Sequence, residues 1–182
     1  GRKIISVSGS AGIDMGRLAS KKINKIATWG KHLLFCFDGF TVRVHFLMFG
    51  TYFINDHKKL KPRLALKFDK GSELNIYTSS IKLLEGDPDD IYDWSADIMN
   101  KNWNISGAKK KLKAMSDMMI ADVLMDQDIF SGVGNIIKNE VLYRTSVHPQ
   151  SLVGSIPARK ITAIGKEVSQ YAFEFLRQRK EG

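Results

Sequence analysis

Two closely spaced glycines and an asparagine stand between two helix-like segments in the second half of the chain. Gly132 and Gly134 bracket Val133, Asn135 follows, and a segment of helical periodicity begins at once. Glycines permit a positive φ and a close approach of the backbone to a ligand. A helix that begins here presents unpaired N–H groups and the positive end of its dipole, which together suit an anion. An ordinary helix-turn-helix corner without a ligand is the alternative interpretation of so short a pattern.

The charge of the whole chain favours a polyanionic partner. Its 182 residues include 28 Lys and Arg against 19 Asp and Glu, which gives a net charge of +9. A globular chain this basic fits nucleic acid first and an anionic membrane surface second. No apolar run approaches the length of a spanning helix, and no signal peptide opens the chain, so we expect no membrane partner.

Cysteine and histidine usage argues against disulfides and metal sites. The single cysteine, Cys36, excludes an internal disulfide and lies within an apolar run. We expect a buried, unreactive thiol and a reducing compartment, cytoplasmic and nucleoid-associated. The four histidines, His32, His45, His57 and His148, lack the spacing of metal ligands. We therefore expect no metal site and no cofactor in this chain.

The N-terminal half has the signals of an antiparallel β-domain. Two strand-like runs meet at Asp38-Gly39, a strong signal for a β-hairpin. A separate strand is predicted at 50–54, and a second hairpin at 63–77. These patterns predict a β-sandwich or barrel over residues 1–84.

The C-terminal half has helical signals. An acidic, turn-rich stretch at residues 85–104 is interpreted as a linker, and residues 105–182 as a helical domain. The lysine-rich run 109–113 is expected to open the first helix of this domain with a basic face. Apolar periodicity predicts three more helices, at 118–124, 136–145 and 157–179. The fold class expected for the chain is α+β, an antiparallel β-domain followed by a helical domain.

Three segments resemble the motifs of one known family, the formamidopyrimidine-DNA glycosylase and endonuclease VIII group of base-excision repair enzymes. Segment 124–149 resembles its helix–two-turn–helix DNA-binding motif, 29–34 its glycine-lysine β-turn, and 45–50 its histidine-to-glycine intercalation loop. Order and spacing agree with the family over residues 1–175. Because three ordered matches are more specific than one glycine pattern, the resemblance favours the anion site over the empty corner.

The resemblance implies roles for the matching residues. The amides around Gly132 and Gly134, with the side chain of Asn135, would hold DNA phosphates next to the lesion. Lys31 would contact a phosphate and serve the lyase steps, which suit a point charge on a flexible stem. Glu140 matches a family carboxylate near the active site, although inside a helix it could equally pair with a nearby lysine.

The same resemblance assigns the intercalation loop. Leu47, Met48 and Phe49 match the residues that fill the gap left by the everted nucleotide, where apolar wedges replace part of the lost stacking. From periodicity alone these three residues fit a core or a strand end, and Lys31 alone fits a solvated turn lysine.

Two parts of the family pattern have no counterpart in this sequence. The family's chain opens with Pro-Glu, and the proline amine attacks C1′ of the damaged nucleotide, whereas Gly1 aligns after the family's first helix. The chain stops at Gly182, before the family's zinc finger or its zinc-less equivalent. We therefore expect the middle of such an enzyme, either trimmed or from a degenerate relative. We expect this chain to be inactive alone, with any zinc finger in a longer protein.

The leading hypothesis is a bifunctional DNA glycosylase with AP-lyase activity on oxidised bases in double-stranded DNA, working as a monomer. Segment 77–84 resembles the endonuclease VIII branch, which favours oxidised pyrimidines. One alternative is a non-catalytic module that binds damaged or abasic DNA. Another is RNA binding, since a similar helix–turn–helix corner occurs in a ribosomal protein, although the motifs of the β-domain argue against it.

Overall fold

A computed structural model of the chain describes residues 2–181, which form two compact units. The first extends to Tyr92 and the second starts at Asp93. We call them the sheet unit and the helical unit, and each has its own apolar core. The expected α+β fold is confirmed, because all strands of the sheet lie in the first unit and the long helices lie in the second.

Six strands form one antiparallel sheet in the sheet unit. They are β1 Ile4–Ser8, β2 Lys25–Trp29, β3 His32–Cys36, β4 Phe40–Ile54, β5 Leu64–Phe68 and β6 Glu73–Glu85. Their order across the sheet is β1-β5-β6-β4-β3-β2. Both predicted hairpins are confirmed, since β3 pairs with β4 around Asp38-Gly39 and β5 pairs with β6. Gly39 has a φ of +78°, a conformation that glycine adopts at no steric cost.

The ladder between β4 and β6 is the longest in the sheet. Pairing runs from Phe40 to Phe46 on β4, is interrupted, and resumes from Thr51 to Ile54. The strand predicted at 50–54 is therefore a continuation of β4 and not a separate strand. The residues in this interruption, 47–50, are part of the candidate site.

Alternate residues of the strands build the core of the sheet unit. Val42 and Val44 on β4 are fully buried, as the period-2 pattern predicts, whereas Arg43 and His45 between them are half-buried. Cys36 is also buried, and burial raises the pKa of its thiol. This state matches the unreactive thiol expected from the sequence.

Helices make up the helical unit. A short helix, α1 Pro88–Ile91, is the last element of the sheet unit, and the Asp87 side chain caps its start. The helices that follow are α2 Ile105–Lys113, α3 Ile120–Val123, α4 Asn135–Arg144 and α5 Ala158–Glu181. No helix among residues 2–181 combines the length and the apolar character needed to cross a membrane.

The lysine-rich run ends a helix instead of opening one, contrary to the prediction. Helix α2 begins at Ile105, because the Asn104 side chain accepts hydrogen bonds from the amides of Ser106 and Gly107. The lysines therefore occupy its last turns, where positive charge complements the negative end of the helix dipole.

The helix predicted at 118–124 is shorter than expected. Only the four residues of α3 are helical. The backbone before them pairs with another segment: Val153 donates its N–H to the carbonyl of Met118, and Met119 forms a β-bridge with Leu152. Tertiary hydrogen bonds thus outweigh the helical periodicity of this stretch.

Residues after Tyr92 pack into the helical unit although their composition is turn-rich. Ile98 is fully buried in its core. The Trp103 indole packs against that core and donates its Nε1–H to the carbonyl of Gly165 on α5, at 3.2 Å. The division between the units therefore falls inside the stretch 85–104.

Candidate functional site

The predicted site residues are shared between the two units. Lys31 and the segment 47–49 belong to the sheet unit, whereas Gly132, Asn135 and Glu140 belong to the helical unit. Each group is described within its own unit.

Lys31 lies in the two-residue turn between β2 and β3. Trp29 pairs with His32, so that only Gly30 and Lys31 connect the strands. Gly30 has a φ of +52°, and glycine at the first central position is typical of a type II′ hairpin turn. Partial burial lowers the pKa of the Lys31 ammonium from its ordinary value. The turn thus holds a lysine whose proton is more easily lost than that of a fully solvated one.

An aromatic cluster supports this turn. His32 and His45 are cross-strand partners, with ring centroids 5.3 Å apart. The Trp29 ring lies 5.6 Å from His32 and 4.8 Å from Tyr92. No motif in the sequence points to this cluster. Hairpin register could have revealed it, because counting outward from Asp38-Gly39 places His32 opposite His45.

Surrounding positive charge and burial keep the two imidazoles neutral. The pKa of His32 is lowered to about 4, first by burial and then by Arg43, His45 and Lys31. The pKa of His45 is also lowered, by burial first and then by Lys31 and Arg43. The His32 Nδ1 atom is buried and has no hydrogen-bond partner among residues 2–181. Near pH 7 the positive charge of this region therefore comes from Lys31 and Arg43.

Four residues of β4, numbers 47–50, leave the ladder where they face the single residue Thr78 of β6. We call this segment the β4 bulge. Its side chains Leu47, Met48 and Phe49 are 50%, 91% and 79% exposed. They are not part of the core, so the sheet unit presents an apolar tip to solvent at the position predicted for the intercalation loop.

The base of the β4 bulge is closely packed. A Cβ at Gly50 would lie 2.7 Å from the carbonyl oxygen of Thr78 and 2.8 Å from the Cβ of Phe46, so only glycine fits. Thr78 has a φ of +45°, an uncommon conformation for a β-branched residue. Such strain persists only where the surrounding structure imposes it, and it clusters at functional sites.

The register places Lys31 and the β4 bulge at the same end of the sheet. His45 pairs with His32, the first residue of β3, and Phe46 is the next residue of β4. The bulge therefore begins beside the start of β3, next to the Gly30-Lys31 turn. The structure brings these two predicted features together, as the resemblance implies.

In the helical unit, the Gln127 side chain holds the turn before α4 by hydrogen bonds to its backbone. Its Nε2 donates to the carbonyls of Met125 and Val133, and its Oε1 accepts from the Gly132 N–H. Gly132 has a φ of +102°, which confirms the need for glycine there. Gly134 does not share this need, because its φ of −128° is open to any residue. The sequence pattern alone does not reveal this role of Gln127, because it depends on which carbonyls face the side chain.

The start of helix α4 is a candidate anion site. Gly134 occupies the cap position, and no side chain caps the amides of the first turn. The Lys138 ammonium donates to the Asn135 Oδ1 at 3.1 Å, which leaves the two N–H donors of the Asn135 amide. Backbone N–H groups, an amide donor and a cation thus meet at the start of one helix, an arrangement suited to a phosphate.

Glu140 pairs with arginine and not with lysine. Arg144 donates from Nε to Glu140 at 2.8 Å, and its two terminal nitrogens reach Glu174 at 2.8 and 3.0 Å. It also bonds Glu167 at 3.1 Å and lies 4.6 Å from the Tyr171 ring centroid. The carboxylates, Glu174 first and then Glu140, raise the pKa of Arg144. This network ties α4 to α5.

No group of three or more His, Cys, Asp or Glu side chains among residues 2–181 is arranged to hold a metal ion. The described residues instead provide hydrogen-bond donors and cations for anions, and the sheet unit adds an apolar tip.

The sheet unit thus has a basic hairpin turn beside an apolar tip, and the helical unit has an uncapped helix start. The model of the formamidopyrimidine-DNA glycosylase N-terminal domain matches residues 4–79. The model of the formamidopyrimidine-DNA glycosylase H2TH domain matches residues 95–180. Together they cover most of the chain, which belongs to the formamidopyrimidine-DNA glycosylase and endonuclease VIII family.

Curated relatives carry names from both branches of this family. Endonuclease 8-like 3 of Homo sapiens is 31% identical over 173 residues, covering 86% of this chain and 27% of the relative. Endonuclease 8-like 2 of Mus musculus is 30% identical, with 78% and 45% covered. Formamidopyrimidine-DNA glycosylase of Lactobacillus helveticus is 27% identical, with 90% and 63% covered. The chain thus spans less than half the length of these endonuclease 8-like relatives.

Solved structures share the fold. A viral DNA glycosylase superposes with a TM-score of 0.83 at 22% identity, covering all of this chain and 78% of that chain. Lactococcus lactis Fpg in complex with DNA containing an abasic site gives a TM-score of 0.82 at 21% identity, with 97% and 72% covered.

Substituting Gly50 tests the packing at the base of the β4 bulge. Gly50→Ala places a methyl group against backbone, so we expect a loss of about 1–3 kcal/mol in the free energy of unfolding. Gly12→Ala is the matched control, because a Cβ there meets no atom within 4 Å. Urea unfolding followed by circular dichroism measures both. Equal stability of the two variants would contradict the packing described here.

The low pKa of His32 predicts a pH dependence of stability. The folded chain disfavours the imidazolium, so the unfolded chain binds more protons between its ordinary pKa of 6.5 and about 4. Stability is therefore retained above pH 6.5 and falls as the pH drops through this window. His32→Phe keeps a ring and cannot protonate, so its unfolding free energy should fall less between pH 7 and pH 5. We expect a difference of about 1 kcal/mol, after discounting for solvent screening. Parallel pH profiles of the two proteins would contradict this assignment.

Proposed function

We propose that the protein containing this chain is a base-excision-repair DNA glycosylase with AP-lyase activity, which acts as a monomer on oxidised bases in double-stranded DNA. The observation that carries the proposal is that the exposed β4 bulge and the Lys31 turn lie at the same end of the sheet. Membership of a DNA glycosylase family supports the proposal, as do the net charge of +9 and the names of the curated relatives, endonuclease 8-like 2 and formamidopyrimidine-DNA glycosylase.

The helical unit would hold the DNA backbone. The amides at the start of α4, the Asn135 side chain and the Lys138 ammonium would bind a phosphate next to the lesion. Gln127 would keep this site in shape, because it fixes the backbone of the preceding turn on both sides of Gly132. These contacts set position and carry no sequence preference.

The β4 bulge would fill the duplex when a nucleotide is everted. Eversion costs a few kcal/mol of stacking and pairing, and inserted apolar side chains replace part of that loss. Met48 and Phe49 are suited to this step, because they are almost fully solvated in the chain alone and gain burial on entering the base stack.

Lys31 would serve charge and proton transfer. Its ammonium would neutralise a phosphate of the everted nucleotide, and its lowered pKa favours giving up a proton during elimination. In the family pattern, the N-terminal proline amine attacks C1′, the glycosidic bond breaks and the damaged base leaves, and the resulting iminium undergoes elimination that expels the phosphate and cleaves the strand. Within such a reaction, this chain would supply the phosphate contact.

Oxidised pyrimidines are the substrates we favour. Segment 77–84 resembles the endonuclease VIII branch, and relatives named endonuclease 8-like match this chain at 30–31% identity. Arg144 already holds the Glu140 carboxylate in the α4–α5 network, which favours a structural role for Glu140 over a catalytic one.

Single substitutions test the phosphate contacts. Asn135→Ala and Lys31→Ala should each weaken binding to a duplex with an abasic site and reduce the slope of log K against log salt by about 1. Lys31 supplies a charge directly, and Asn135 fixes the Lys138 ammonium. Lys70→Ala, in the exposed turn between β5 and β6, is the charge-matched control and should leave the slope unchanged. Wild-type slopes in both site variants would count against these contacts.

Covalent trapping tests the lyase chemistry. Borohydride reduces an enzyme–DNA imine, so the full-length protein should give a stable complex with oligonucleotides containing thymine glycol or an abasic site. Retained affinity without a trapped complex would identify a non-catalytic damage-binding module instead. Stronger competition by structured RNA than by nicked duplex would remove the DNA assignment altogether.

A further inference from the structure

The loop between β4 and β5 carries three lysines, Lys58, Lys59 and Lys61, and is fixed to the sheet. We call residues 55–62 the basic loop. The N–H of Lys58 donates to the Tyr77 hydroxyl at 3.0 Å, and Nδ2 of Asn75 donates to the carbonyl of Asp56 at 3.0 Å. Because both anchors are residues of β6, the loop has a defined position on the sheet.

Two aromatic rings hold the Lys58 ammonium. Its Nζ lies 5.5 Å from the Phe53 ring centroid and 5.7 Å from that of Tyr77, within the range of cation–π attraction. The rings themselves meet edge to face at 6.0 Å. This charge is therefore localised, unlike that of an ordinary solvated surface lysine.

The basic loop lies beside the β4 bulge. Tyr77 pairs with Thr51, the first β4 residue after the bulge, and Tyr77 immediately precedes Thr78, which the bulge faces. Lys58 is thus held against Tyr77, one of the two residues of the pair that closes the base of the bulge. The β4 bulge carries apolar side chains at its tip and has this cation at its base.

The charge of the basic loop is not compensated by ion pairs. No salt bridge among residues 2–181 involves Lys58, Lys59 or Lys61. The loop's own carboxylate, Asp56, accepts a hydrogen bond from the neighbouring His57 amide at 2.7 Å. The loop therefore presents net positive charge beside an apolar wedge.

We propose that Lys58 and Lys59 form a further phosphate-binding site, for the backbone of the DNA strand into which the β4 bulge inserts. Wedging a base step apart stretches and bends the backbone beside it, and a fixed cation next to the wedge stabilises the phosphates in that deformed state. The ligand is a nucleic-acid phosphodiester, read without regard to sequence. The inference rests on the proposed function.

A double substitution tests the site. K58M/K59M removes both charges and keeps the apolar stem of Lys58 against its rings. The matched control is K21M/K22M, an exposed lysine pair before β2. That pair lies at the opposite end of the sheet from Lys31, because β2 starts at Lys25, which pairs with Cys36.

Affinity for a duplex with a tetrahydrofuran abasic site, measured at several salt concentrations, is the readout. K58M/K59M should bind about three- to tenfold more weakly, with a salt slope lower by about 2. The control pair should retain the wild-type slope, and circular dichroism should show the same fold in all proteins. A wild-type slope for K58M/K59M, or an equal loss in the control pair, would overturn the proposal.

Asn135→Ala separates the two levels of inference. Weakened binding by Asn135→Ala with unchanged binding by K58M/K59M would reject the basic-loop site and leave the proposed function standing. A wild-type chain without affinity for the abasic duplex would reject both.

Discussion

The β4–β6 ladder is the constraint on which the sheet unit depends. The other four strands attach to its two sides, β3 and β2 beyond β4, and β5 and β1 beyond β6. Pairing fixes which residues reach the core, and its single interruption fixes where the chain leaves the sheet. The Lys31 turn, the β4 bulge and the anchors of the basic loop all take their positions from this ladder. A one-residue slip would invert the faces of β4, so the buried valines protect the geometry of the exposed tip.

Local signals predicted most of this fold, because they reflect short-range physics. Asp38-Gly39 specifies its hairpin, and the helical spacing of Ile161, Ile164 and Val168 specifies α5, since both depend on near neighbours. The two mispredicted helices have different causes, a distant partner in the first and a local cap in the second. Met118 and Met119 have helical periodicity but pair with the segment around Val153. The start of α2 depended on the Asn104 cap, which the lysine-rich run obscured.

The candidate site divides in the same way. Gly132, Asn135 and Lys31 could be proposed from the sequence because each lies within a short ordered motif, where residue type and position are visible together. The histidine–aromatic cluster and the role of Gln127 were missed, since they depend on which strands pair and which carbonyls face a side chain. Charge follows from these contacts too: burial first, and then the nearby positive charges of Lys31 and Arg43, lower the pKa of both imidazoles. Composition alone would have counted the histidines as potential cations.

The three apolar side chains of the β4 bulge contribute almost nothing to the core. Regular pairing continues up to Phe46 and resumes at Thr51. The conformational strain of the bulge falls on Thr78, which has a positive φ, and on the closely packed Gly50. Residues 47–49 are therefore free to drift during evolution at little cost in stability, whereas Gly50 is not. Substitutions at this tip can therefore change its side chains, and with them the groups that they contact, without changing the fold of the sheet.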